Sequence, residues 1–421
     1  SLTSAGSIDT AGNALTAGSD ININGGSGVS LDAVTATNAV SVTGVNTVDL
    51  DGAVSGATVN IESTGAGLDI ADTVDSTGGA LTLIAATNIA TTAASAVLTA
   101  TGGDATLTAG GSITLIDQIQ STGAAVILTA GSNVAVEQVD AGTDVLVNAG
   151  GTFGNSGVVT GADDVSISAD GSITTSADVT ATSGDLSLTS AGSINTLDDT
   201  LTAGSDININ GGAAVDLETV TAGDAVSVTG VGSVNLDGSV TGDTVNVEST
   251  TAGVDIFRPV LSNAGGITVV AATNITTSTG LPTVTATGGD VTLIAGGSVS
   301  MIDQVQSTGD SVIIDAGTDV AVEQVDAGAD VVVNAGGTFG NSGVVTAADD
   351  VNISADGNLT TSANVTATSG DLSLTSAAAI DTQDDVLTAG SDINVNGATV
   401  TLNTVTAGAA VSVTSANAAT L

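Results

Sequence analysis

The chain has 421 residues, with 45 acidic side chains against a single basic one, Arg258, and a formal net charge of −44. A surface of that sign repels nucleic acid and anionic membranes and is compatible with cations, basic partners and high salt. It contains no His, Lys, Cys, Trp or Tyr, so only carboxylates remain for acid–base chemistry. Disulfides are excluded and the composition argues against an enzyme.

The chain repeats itself. LTAGSDININ at residues 15–24 recurs unchanged at 201–210 and, as LTAGSDINVN, at 387–396. The period is 186 residues, which divides the chain into super-repeats 1–186 and 187–372 and a partial third, 373–421. A chain built this way is an array, and its fold is read from the repeat. The copies stay in phase over long runs: VNAGGTFGNSGVV at 147–159 returns at 333–345. One residue is dropped near Gly397.

Inside each super-repeat a shorter unit recurs about nine times. In the second copy the divisions fall at 186, 207, 226, 245, 267, 291, 312, 331 and 351, giving units of 19 to 24 residues. Taken along the first copy, each unit opens on an apolar–x–apolar triplet: Ile21-Asn22-Ile23, Val40-Ser41-Val42, Val59-Asn60-Ile61, Leu81-Thr82-Leu83 and onward to Val165-Ser166-Ile167. A small-residue turn follows, then a second triplet, as in Val29-Ser30-Leu31 or Ile113-Thr114-Leu115. A third strand is marked by one apolar residue, such as Val34, Val54, Val74 or Ile119. A polar turn closes the unit, often on an aspartate: Asp20, Asp104, Asp144, Asp164, Asp185.

The apolar period is two throughout, with β-branched residues at the alternating positions, so these are strands with one face in and one out. Three short strands and three turns in about 20 residues describe one coil of a parallel β-solenoid. The expectation is an all-β chain: one continuous right-handed parallel β-helix of about 20 coils over residues 1–421. At roughly 4.8 Å per coil it would be a rod on the order of 100 Å long. Right-handedness is expected because coil length drifts, whereas a left-handed hexapeptide solenoid keeps a rigid six-residue beat.

No membrane span is expected, because the longest uncharged run, 76–103, is broken throughout by Thr, Ser, Asn and Gly. The opening residues carry neither the basic nor the apolar segment of a secretion leader. The chain also starts and stops partway through a repeat unit, so it is expected to be a window of a much longer polypeptide.

A few positions break the pattern. Phe257, Arg258 and Pro259 cluster where the first copy has Ala71-Asp72-Thr73. They read as drift in a tolerant turn or as a contact point, an exposed aromatic beside the sole cation. Phe153 and Phe339 replace an aliphatic residue of the second strand and read as core. Aspartate pairs at Asp163-Asp164, Asp349-Asp350, Asp198-Asp199 and Asp384-Asp385 sit in turns. They read as a solvated acidic face or, for Asp163, Asp164, Asp349 and Asp350 above all, as Ca²⁺ ligands, since calcium takes six to eight oxygens. The glycine-rich nonapeptide of calcium-binding β-rolls is absent. No other cofactor is expected.

Units such as ADDVSISADGSITTSADVTATSGDLSLTSAGSI, residues 162–194, resemble the repeat regions of filamentous-haemagglutinin-type proteins of two-partner secretion and related giant bacterial β-strand-repeat adhesins. The resemblance covers the whole chain and is one of repeat style. It implies a right-handed β-helix, export to the bacterial cell surface, and a role as the structural shaft of an extracellular fibre or giant adhesin. It carries over no functional residues. Two alternatives stand beside the shaft. One is a multivalent module binding cations, glycans, a cell-surface partner or neighbouring rods through its side. The other is a subunit that assembles end to end with copies of itself.

Overall fold

The computed structural model describes residues 1–420 apart from Leu197, residues 279–281 and Gln383. Among the described residues every regular element is a strand. The strands wind through about 21 turns of a parallel β-solenoid. They fall into two units, Ser1–Gly211 and Gly212–Leu421.

In the first unit each coil's opening strand pairs in parallel with that of the next. Ile21 stands opposite Val40, Val40 opposite Val59, Val59 opposite Leu81, and Leu81 opposite Ala105. The expected unit boundaries are therefore the structural register. The second strands stack likewise, Val48 on Leu68 and Leu68 on Ile89. So do the third, Val54 on Val74 and Val74 on Leu98. Opening strands run five or six residues, as in Ile21–Gly25 and Thr58–Ser63; the other two run about three, as in Leu68–Ile70 and Val74–Ser76.

The second unit repeats this arrangement, with Val226 opposite Val245, Val245 opposite Ile267 and Ile267 opposite Val291. Its last coil is shorter than expected, because Ile393 pairs with Val411, a step of 18 residues. The residue lost near Gly397 removes the first turn. The first and second strands there fuse into Ile393–Thr401.

A different fusion joins second and third strands in Ile113–Ser121, Val134–Ala141, Val299–Ser307 and Val320–Ala327. The register slips between Leu115 and Gln118, and between Met301 and Gln304. That bulge lets one strand turn the corner without a loop.

The inner face of each coil is aliphatic. Val59, Ile61, Leu68, Ile70 and Val74 of one coil are all buried. At about 1.5–3 kcal/mol per buried side chain, gross burial is on the order of 10 kcal/mol per coil before chain entropy. Phe153 and Phe339 lie fully inside. Phe153 stacks between Val134 and Ile173, and Phe339 between Val320 and Leu359.

Candidate functional site

The corners carry the chain's polar chemistry. At the corner before many of the opening strands, the backbone carbonyl of an aspartate accepts an N–H from the coil before it: Val126 N–H donates to Asp144 O, and Val145 N–H to Asp164 O, both 2.9 Å. The N–H of the following coil's corner residue then needs another acceptor, and the aspartate side chain supplies it. Asp164 N–H donates to Asp144 Oδ1 (3.2 Å), Asp185 N–H to Asp164 Oδ1 (2.8 Å) and Asp206 N–H to Asp185 Oδ1 (3.1 Å). In the second unit the ladder runs from Asp330 through Asp350, Asp371 and Asp392 to the N–H of Ala410, with each bond between 2.7 and 2.9 Å. Asp and Asn suit this place because their carbonyl sits one carbon off the backbone and can stand in for a peptide carbonyl.

The other two corners use the same device. Asn133 Oδ1 accepts Thr152 N–H, and Asp319 Oδ1 accepts both the N–H and the hydroxyl of Thr338. Asp178 and Asn364 accept the N–H of Thr200 and Val386. These bonds hold some carboxyls below the usual range. The Thr338 backbone N–H, then its hydroxyl, lowers Asp319; the Asp392 N–H, then Ser391, lowers Asp371.

The aspartate pairs proposed for calcium sit within this ladder. Asp163 Oδ1 accepts the Ser183 hydroxyl at 3.4 Å while Asp164 Oδ1 takes the Asp185 N–H. Asp349 and Asp350 do the same to Ser369 (3.3 Å) and Asp371 (2.7 Å). Both pairs close over a glycine of the next coil. A Cβ on Gly184 would lie 2.1 Å from Asp164 Oδ1 and 2.8 Å from Asp163 Oδ1, and Gly370 is placed alike under Asp349 and Asp350. Each pair is thus a clasp on the adjacent coil. Among the described residues no three acidic side chains are grouped so as to hold a metal ion.

Phe257 and Arg258 lie at the corner after Val254–Ile256. Phe257 is half-buried rather than fully exposed, and its N–H donates to Leu236 O at 2.9 Å, so it is fixed in the wall; Arg258 is exposed. Carboxylates also gather on the second-strand face. Burial, then Asp69 and Asp51, raises the Asp49 carboxyl; burial, then Asp216 and Asp255, raises Asp237. A shallow depression of about 260 Å³ lies over Ile127 and Leu146, edged by Asp144 and Asp164.

One set of residues escapes a reading by charge and turn alone. Asn155, Thr175 and Thr196 occupy the inward place at the end of the second strand in three successive coils, and Asp199 follows in the same turn as Thr196. All four are buried. Strict alternation carried on from Phe153 would have put Asn155 inside. The second copy repeats the set as Asn341, Thr361, Thr382 and Asp385.

No family model, no curated protein and no solved structure matches this chain.

Proposed function

We propose that this chain is structural: part of the shaft of an extracellular bacterial fibre or giant adhesin, without catalysis. One observation carries the reading. The polar side chains at the corners accept backbone N–H groups of the next coil, so the aspartates that dominate the charge are engaged in stacking coils. A device that recurs along the stack favours length and stiffness over one unique site. With a single Arg, followed directly by Pro259, and no Lys, the chain offers a trypsin-like protease no ready cleavage position, which suits an exposed location.

A second reading rests on the depression at Ile127 and Leu146. Its counterparts 186 residues on are Ile313, Val332, Asp330 and Asp350. A weak contact repeated at that period would gain from multivalency, making the shaft's side a binder of basic or glycan partners.

Antibody fragments raised against the strand face at Ile127 and Leu146 test the proposal on intact cells. Decoration along the length of surface fibres is expected. Labelling confined to the cell interior, or to fibre tips, would overturn the shaft reading.

A further inference from the structure

The acids are spread unevenly over the strands. Most opening strands have two outward places between buried ones, as in Leu186–Ser190. Among the described residues the acids at such places are Glu62, Glu248 and Asp315. Each second strand offers a single outward place, yet it holds Asp9, Asp49, Asp69, Asp216, Asp255 and Asp381 in different coils. Strands of this chain thus accept an outward aspartate, and strand propensity alone does not account for the neutral face of the opening strands. From Leu81 to Gly211 in the first unit, the outward residues of that face are Thr, Ser, Asn, Ile and Leu alone. Ile127 stands opposite Leu146 there, and Leu146 is 38% exposed.

We propose that this face is where two copies of the chain meet, face to face. The proposal rests on the reading of the chain as a shaft and makes the shaft a paired one. With a net charge of −44, contact through the other sides sets carboxylates of one copy against those of the next. In the first unit about ten opening strands, from Ile21–Gly25 to Ile207–Gly211, form the face. At roughly 17 Å per strand and roughly 4.8 Å between strands it covers about 800 Å², which is what one partner contributes to a specific interface of standard size. Hydroxyl and amide side chains both donate and accept, so the face can serve as its own partner.

Charge also sets the direction of pairing. One edge of the face is the ladder Asp144, Asp164, Asp185 and Asp206. The other edge is the turn after each opening strand, built from small residues such as Gly131-Ser132, Gly150-Gly151 and Gly192-Ser193; between residues 86 and 193 the one acid in these turns is Asp170. A two-fold axis along the strands would lay ladder on ladder, with the stacks running in opposite directions. A two-fold axis along the stack lays each ladder against the partner's small-residue edge, and the two stacks run the same way. Repulsion between facing carboxylates selects the second arrangement.

The test uses the full chain. Sedimentation equilibrium from about 1 to 100 µM at about 0.15 M salt should show monomers in equilibrium with dimers. Thr129→Glu, Thr189→Glu, Thr292→Glu and Thr375→Glu together put charge on the face, at outward places like those of Glu62 and Glu248, and should weaken pairing roughly 100-fold or more. Thr35→Glu, Thr180→Glu, Thr241→Glu and Thr366→Glu add the same charge on the third strands and should leave pairing nearly unchanged. The antibody fragment against Ile127 and Leu146 should compete with pairing and release monomer. Spin labels on a single cysteine, Thr82→Cys or Ser187→Cys, both in one outward column, should report equal distances between copies; unequal distances would overturn the same-direction arrangement. Equal loss of pairing in the two glutamate sets would mean that net charge alone acts, and would overturn the proposal. A monomer at every concentration would overturn it too, and one that binds a soluble neutral glucan would give the face to a glycan. Fibres decorated along their length would still stand in either case, so the shaft reading survives a failure of the pairing.

Discussion

The corner ladder makes a prediction in which charge and hydrogen bond separate cleanly. Asp164 accepts the Asp185 N–H at 2.8 Å and stands in line with Asp144, Asp185 and Asp206. Asp164→Ala removes both the acceptor and the charge. Asp164→Asn removes only the charge, since an amide oxygen still accepts. Carboxylates one coil apart, roughly 4.8 Å, repel by about 1 kcal/mol in water, and Asp164 has a neighbour on each side. Asp164→Asn should therefore stabilise the corner by about 1–2 kcal/mol at low ionic strength, with the gain fading near 1 M salt. The lost acceptor is worth about 0.5–1.5 kcal/mol, so Ala should lie below Asn by that amount at every salt concentration. Stability along an array is a sum over neighbours and does not reduce to one unfolding midpoint. Hydrogen exchange read at the Asp185 amide is the suitable assay. About 1 kcal/mol corresponds to roughly 5-fold faster exchange in Ala than in Asn. Equal protection in the two variants would show that the ladder is not held by its side chains.

Three further outcomes follow from the same geometry. Gly184→Ala should open the clasp, because the new Cβ would meet Asp163 carbonyl carbon at 2.9 Å as well as both carboxylates; a loss of about 1–3 kcal/mol is expected. Gly154→Ala, whose nearest contact would be Thr174 O at 3.7 Å, should leave thermal stability nearly unchanged. As pH falls, the corner bonds of Asp319 and Asp371 give stability that is full above the ordinary aspartate value and is lost through their lowered folded values. An acid titration followed by exchange at the Thr338 and Asp392 amides should show protection falling only after most other carboxyls have been protonated; loss of protection at the ordinary aspartate pH would contradict the assignment.

Much of the fold was legible in the sequence because alternation is a local signal. The triplets at Ile21, Val40 and Val59 needed no knowledge of distant residues to be read as inward-facing strands, and internal repetition supplied the register. The corner aspartates were visible as turn residues, but their partners were not. The acceptor for Asp185 N–H lies 21 residues back, and only stacking brings the two together. This is why Asp163 and Asp164 read from sequence as a solvated acidic face or a calcium site without their partners; in the structure both are exposed and also accept from Ser183 and Asp185. The fused strands Ile113–Ser121 and Ile393–Thr401 were missed for a related reason. Whether a corner takes a loop or a bulge depends on the neighbouring coil. Asn155 was overlooked because it is polar at a place defined by its apolar counterparts, Leu115 and Val136 below it.

The measurement closest to the central claim is diffraction from aligned native fibres containing this chain. A shaft of stacked coils places its strands across the fibre and its hydrogen bonds along it. A strong reflection near 4.8 Å is then expected on the fibre axis. The same reflection found at right angles to the axis would mean that the coils do not stack along the fibre, and the account of this chain as a shaft would fail.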